Sequence, residues 1–443
     1  MHQEHSQPGL RNDLWRYSQG TWTLMHDGQS ADTPPARQLA AACGLDKAYF
    51  VLFGGLGAEE ESQSTDGDSV LGDIWIFSID SKQWFTLDDF QTKIKAHKNN
   101  QSELPAARGD MAFWCNSGET LTVFGGFGEN ETLHSDLWTF NLKTLQWQLS
   151  AQSESLPKDQ SFVSYLDYPT ARSGATTWTT GDRLFLWGGN ILPKNARKKH
   201  LMIGAVGDMW EYSLSTDTWT YITGSKQLCR SAGVYGELGA ADKNNQPGCR
   251  RKAAAWVDVH NNLWMFGGDG IDSSQESVTV FKHSKLLSDI WYFELKTSLW
   301  TWKGGSNKGE GKGVYKTQGE QSSESIPGSR CEAVVWYSAE MNSEERRERR
   351  FFYLFGGIGH DSKGQDGYLN DIWKLDTNFD SSVFRNVPYA GPVFTVIIIG
   401  LSLVVFVIVI YAFTRRFYSV KEVKTTTKYT KIPQDIDVES LDL

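Results

Sequence analysis

Cysteine is scarce in this chain, five among 443 residues, too few for a fold held by a disulfide scaffold. There is no long basic block and the formal net charge is −9, which excludes a nucleic-acid binder that works by neutralising phosphates. Residues 1–30 contain no apolar run of signal-peptide length. Beyond His2 and His5 near the start, the His stand singly, none at a paired metal spacing with another His or with Cys, and there is no GxSxG elbow, phosphate loop or CxxC. The expectation is a protein that is not an enzyme and carries no cofactor or metal. What is abundant is aromatic: 18 Trp beside 42 Gly, with 22% charged residues. That composition argues against disorder, collagen and coiled coil, and for an aromatic-packed β protein.

The Trp and Gly residues recur in a fixed order. An apolar stretch ending in two glycines occurs five times: FVLFGG with Gly54 and Gly55, LTVFGG with Gly125 and Gly126, LFLWGG with Gly188 and Gly189, LWMFGG with Gly267 and Gly268, and YLFGG with Gly356 and Gly357. After each comes Asp, an aliphatic and Trp, ending at Trp75, Trp138, Trp210, Trp291 and Trp373; a sixth copy, Asp13 to Trp15, has no glycine pair before it. Aromatic and aliphatic residues then follow at period two, the signature of a strand with one packed face. A closing Trp (Trp84, Trp147, Trp219, Trp300, and Trp22 in the first copy) follows a stretch of turn residues. Upstream of each glycine pair stands an Arg (Arg37, Arg108, Arg172, Arg250, Arg330), and six residues after four of these is another Trp. Each unit therefore reads as four short strands, which bury their faces only by stacking on neighbours.

These residues resemble the kelch repeat over about residues 11–376. The resemblance implies an all-β propeller of about six four-stranded blades, the first incomplete (11–24), and implies no chemistry. "TWTYITGS…GVYGELG…PGCR" and "TWKGGS…GVYKTQGE…IPGSR" resemble the sub-type whose blades are joined by GVYG-containing loops. Copper radical oxidases share the kelch fold, but their Tyr, Tyr–Cys and His set does not map onto this chain.

The Gly, Trp and Asp of the repeats read as structural. Function is expected in loops, and the long ones (Leu56 to Gly72, Asn190 to Gly207, Ser225 to Pro247, Asp269 to Ser288, Lys303 to Pro327) emerge on one face, taken as the surface for a protein or glycan ligand. Lys194, Arg197, Lys198 and Lys199 form a basic segment there, a candidate grip for an acidic glycan or partner. On the opposite face, Ser338 to Arg350 reads as a solvated flap. Asn100 and Asn130 begin sequons. Cys229 and Cys249 bracket a loop and are a candidate disulfide; Cys43, Cys115 and Cys331 are expected as buried free thiols.

From Val393 to Phe413 there are 21 uncharged residues, about 30 Å as a helix and so long enough to span a bilayer. Six Lys or Arg follow it closely against two before it, which places the tail in the cytosol. The expected organisation is a propeller over 1–387, a short stalk at 388–392, a transmembrane helix at 393–413 and a cytoplasmic tail at 414–443. The tail holds Tyr429 and Ile432, which resemble a tyrosine-based endocytic motif that would engage an adaptor. The absent signal peptide and the half-complete first unit suggest one cause, a start at Met1 internal to a longer reading frame. Taken together, a single-pass cell-surface recognition protein is expected. The alternatives are an intracellular membrane-anchored adaptor and a secretory-pathway enzyme resembling a copper oxidase.

Overall fold

The computed structural model describes residues 10–386, apart from 19, 45–47, 58–68, 95–102, 117–118, 151–152, 154–167, 193–203, 227–231, 275–283, 319–321, 323, 343–346 and 377–382. The chain is all-β, with one α-helix, Leu87–Lys93, among the described residues. That helix follows the closing strand of the first full unit; Thr86 caps it, its hydroxyl accepting from the Asp89 N–H, and Asp88 and Asp89 occupy its first turn.

Strands that alternate buried and half-buried residues form consecutive antiparallel sheets. The second full unit is the plainest: Ala112–Asn116, Thr120–Phe124, Leu137–Asn141 and Gln146–Leu149 pair in that order. The others repeat it around Tyr49–Gly57, Arg183–Trp187, Leu263–Gly270 and Arg347–Phe355. The last unit completes itself with Val383–Asn386, which pairs with Ile372–Asp376; no Trp marks that strand. The first unit is a two-stranded ribbon, Leu14–Ser18 against Thr21–His26.

The core lies between sheets. Cys43, Val51 and Phe53 of the first full unit pack with Val123, Trp138 and Trp147 of the second, and the pattern continues from second to third, third to fourth and fourth to fifth. The ribbon joins both ends. Leu14 and Met25 pack on Phe50, Phe77 and Trp84 of the first full unit, while Tyr17 and Trp22 pack on Trp336, Phe355 and Ile372 of the fifth. Six successive interfaces thus close a ring, a propeller-like all-β architecture. Val393 to Phe413, together with Tyr429 and Ile432, lies outside the described residues. Among those described, no helix is long and apolar enough to cross a membrane.

Three expectations are corrected. Cys43 and Cys115 are not free thiols: they lie on inner strands of neighbouring units with Cα atoms 5.6 Å apart, and they form a disulfide. Cys331 is a buried free thiol, pushed up to about 12 by burial. Cys249 is disulfide-bonded, and Cys229 lies outside the described residues. The Ser338 to Arg350 flap is ladder, because Val334–Asn342 stays paired with Arg347–Phe355 out to Asn342 opposite Arg347. Finally, the strand stops at the glycine pair in the second, third and fifth full units, at Phe124, Trp187 and Phe355, but runs through it in the first and fourth. In those two, pairing shifts register at the pair and resumes beyond it, with Gly57 opposite Ser69 and Gly270 opposite Lys285.

Candidate functional site

Every full unit contains the same clamp on the loop side. The Arg ahead of the inner strand is at most 1% exposed, and it reaches across the sheet to the Asp of the Asp-aliphatic-Trp strand. In the fourth unit the Arg250 guanidinium donates to both Asp289 oxygens, at 2.6 and 2.7 Å, and to the Gly267 carbonyl at 2.9 Å, while the Trp291 indole N–H donates to Asp289 Oδ2 at 2.7 Å. The same set is Arg37–Asp73–Trp75, Arg108–Asp136–Trp138, Arg172–Asp208–Trp210 and Arg330–Asp371–Trp373. Two oxygens on a planar fork fix the start of the third strand against the end of the second. In two units the Tyr of a GVY segment joins the clamp, Tyr235 donating to Asp289 and Tyr315 to Asp371. Burial and those carboxylates hold both phenols well above the ordinary tyrosine range.

The clamps lock unit to unit. The first glycine of each pair has positive φ, and a Cβ on Gly188 would stand 2.4 Å from the Arg250 carbonyl of the next unit. The Gly189 N–H donates to that carbonyl at 3.0 Å. Around the axis, the residues two after each Arg form a chain: the Asp110 N–H donates to Leu39, Gly174 to Asp110, Lys252 to Gly174 and Glu332 to Lys252, at 2.8–3.0 Å. All five have positive φ.

Three charges sit on that chain. Lys252 Nζ contacts Glu332 and lies 3.8 Å from Asp110. Burial pushes the Asp110 carboxyl up, with Lys252 pulling the other way; burial would lower Lys252, but Asp110 and Glu332 raise it. The loop side of the axis therefore carries a partly buried ion cluster, with side chains 14–23% exposed.

Around it stand paired stems at or just beyond the glycine pairs: Gly55–Gly57 with Ser69–Leu71, Asn190–Ile191 with Gly204–Ala205, Gly268–Gly270 with Lys285–Leu287, and Ile358–His360 with Asp366–Tyr368. Asp272, next to the third stem, accepts from Lys285 Nζ and the Gly309 N–H, both at 2.8 Å. Those donors and Ser274 outweigh the cost of burial and hold its carboxyl at about 2.

The glycine pairs and the repeat Trp thus form the frame beneath this face. The basic segment Lys194, Arg197, Lys198 and Lys199, and Asn100, lie outside the described residues; Asn130 is exposed on a turn between the second and third strands of its unit. The Arg–Asp pairing was not read from sequence, although both residues were visible as repeat markers.

Residues 85–234 match the family model of the KLHDC2/KLHL20/DRC7 Kelch-repeats domain. Acyl-CoA-binding domain-containing protein 4 of Arabidopsis thaliana is 25% identical over 169 residues, covering 38% of this chain and 20% of that protein. Multiple epidermal growth factor-like domains protein 8 of Homo sapiens is 25% identical over 253 residues, covering 56% of this chain and 7% of that protein. The flagellar outer arm dynein alpha chain of Chlamydomonas reinhardtii is 24% identical over 176 residues, 39% of this chain and 3% of its own. The chain spans less than a quarter of the length of each of these relatives.

Proposed function

We propose that this chain, whose residues 85–234 match a Kelch-repeats family model, is a membrane-anchored recognition protein whose loop face binds a protein or glycan ligand. The observation that carries the reading is the set of paired stems raised around the axis. They are paired at the base, and the third is tied to the connection between the fourth and fifth units by the Gly309 N–H donating to Asp272. A frame of buried clamps beneath raised stems is a binding architecture.

The Cys43–Cys115 disulfide supports an oxidising compartment for the propeller, which agrees with the orientation expected from the charges flanking residues 393–413.

The test uses the full chain expressed in cells with a tail epitope. Glycosidase sensitivity at Asn100 or Asn130, with the tail cleaved only after permeabilisation, is the expected result. A propeller cleaved by cytosolic protease in selectively permeabilised cells would overturn the orientation. Charge reversal at exposed loop-face lysines should abolish ligand capture, and reversals on the hairpin face should leave it intact.

A further inference from the structure

We infer that the loop face holds a divalent-cation site of the zinc class, built from Glu310, His360 and Asp366. The three residues come from two segments. Glu310 lies in the connection between the fourth and fifth units, and its backbone N–H donates to the Leu286 carbonyl at 2.8 Å while Oε1 accepts from the Leu286 N–H at 2.9 Å. His360 ends one strand of the fifth unit's stem and pairs with Asp366 in the other. Their ligand atoms all lie within 4.8 Å of one another.

The imidazole is what points to a cation. His360 is 6% exposed, with a carboxylate against each nitrogen: Glu310 Oε2 contacts Nε2, and Asp366 Oδ1 lies 2.7 Å from Nδ1. Nδ1 is buried and makes no hydrogen bond. A neutral imidazole carries one N–H, so two facing carboxylates leave one of them opposite a bare lone pair. Two carboxylates and a neutral imidazole are a donor set with a charge of −2, which a divalent cation neutralises and a single proton does not.

One nitrogen and two carboxylate oxygens suit zinc better than calcium or magnesium, which take oxygen ligands. The two carboxylates are 45% and 79% exposed at the side chain. Glu310 is held by the Leu286 N–H with Oε2 left at Nε2, and the more exposed Asp366 carboxylate is the one free to rotate toward that nitrogen, to bond lengths of about 2.0–2.2 Å. Three protein ligands leave the fourth position open to solvent on the proposed binding face, where an acidic group of the ligand would complete it. The site does not depend on the ligand-binding reading, since it is detected by metal alone.

The experiment is zinc competition against a chromophoric chelator, with the purified full chain in detergent at pH 7.4. The wild type should take up one zinc ion that the Asp366→Asn and Glu310→Gln variants bind at least tenfold more weakly. Both positions are solvent-exposed, so both variants should fold, and an unchanged thermal melt in the absence of metal checks this. Zinc uptake by Asp366→Asn equal to that of the wild type, or no stoichiometric uptake by the wild type, overturns the assignment.

Discussion

At the scale of single residues, burial ranks the clamps. Asp289 and Arg250 are both fully buried at their side chains, whereas Asp73 is 36% exposed. Removing one charge from a fully buried pair leaves its partner uncompensated, at about 3–5 kcal/mol. Asp289→Asn should therefore cost about that much and Asp73→Asn clearly less; equal losses in urea unfolding would contradict the ranking. The glycines allow a matched comparison. Gly188 and Gly356 share positive φ, but a Cβ at Gly188 meets the neighbouring unit's backbone at 2.4 Å, whereas at Gly356 the nearest atom is the Leu369 carbonyl at 2.9 Å. Gly188→Ala should lose about 3 kcal/mol and Gly356→Ala about 1 kcal/mol. The repeats made these residues visible, but the Arg–Asp contact was not legible. It spans 28 residues in one unit and 41 in another, so no fixed spacing betrays it.

At the scale of elements, the strand pattern was legible because period-two alternation is local. The disulfide was not, because Cys43 and Cys115 are 72 residues apart and meet only when two inner strands become neighbours. Cys43 also occupies the place that Trp holds in four other units, which favoured a packing role. A cross-link closing a loop of this length stabilises by about 2–4 kcal/mol. Replacing both cysteines by Ser should lower stability by that amount, and non-reducing peptide mapping of the wild type should recover the joined peptides. The stems were hidden for another reason. A glycine pair reads as a strand end, yet in the first and fourth full units it introduces a register shift after which the ladder resumes. Segments taken as free loops therefore begin as ordered ribbons.

At the scale of the whole molecule, the ring closes through the two-stranded first unit, and the clamps distribute its pH response. Asp136 and Asp371 pay for burial, but the Arg108 and Arg330 guanidiniums and the indole N–H groups beside them more than offset it, so both carboxyls lie below their ordinary value of 3.8. A carboxyl whose folded pKa is depressed contributes stability above its unfolded pKa and loses it as pH falls through the folded value. Asp110, raised by burial, has the opposite sign: its ionised form is disfavoured in the fold, and protonation on acidification relieves that cost. The net response should follow the clamps, because an Arg left without its anion is buried in each. Thermal melts of the full chain in detergent should therefore show the wild type losing stability below about pH 4. Asp371→Asn should be destabilised at pH 7 but should converge on the wild type as the pH falls, since acid removes from the wild type the same charge that the substitution removes. A gap between the two that stays constant from pH 7 to pH 3 would mean that the Arg330–Asp371 pair does not set the acid limit of the fold.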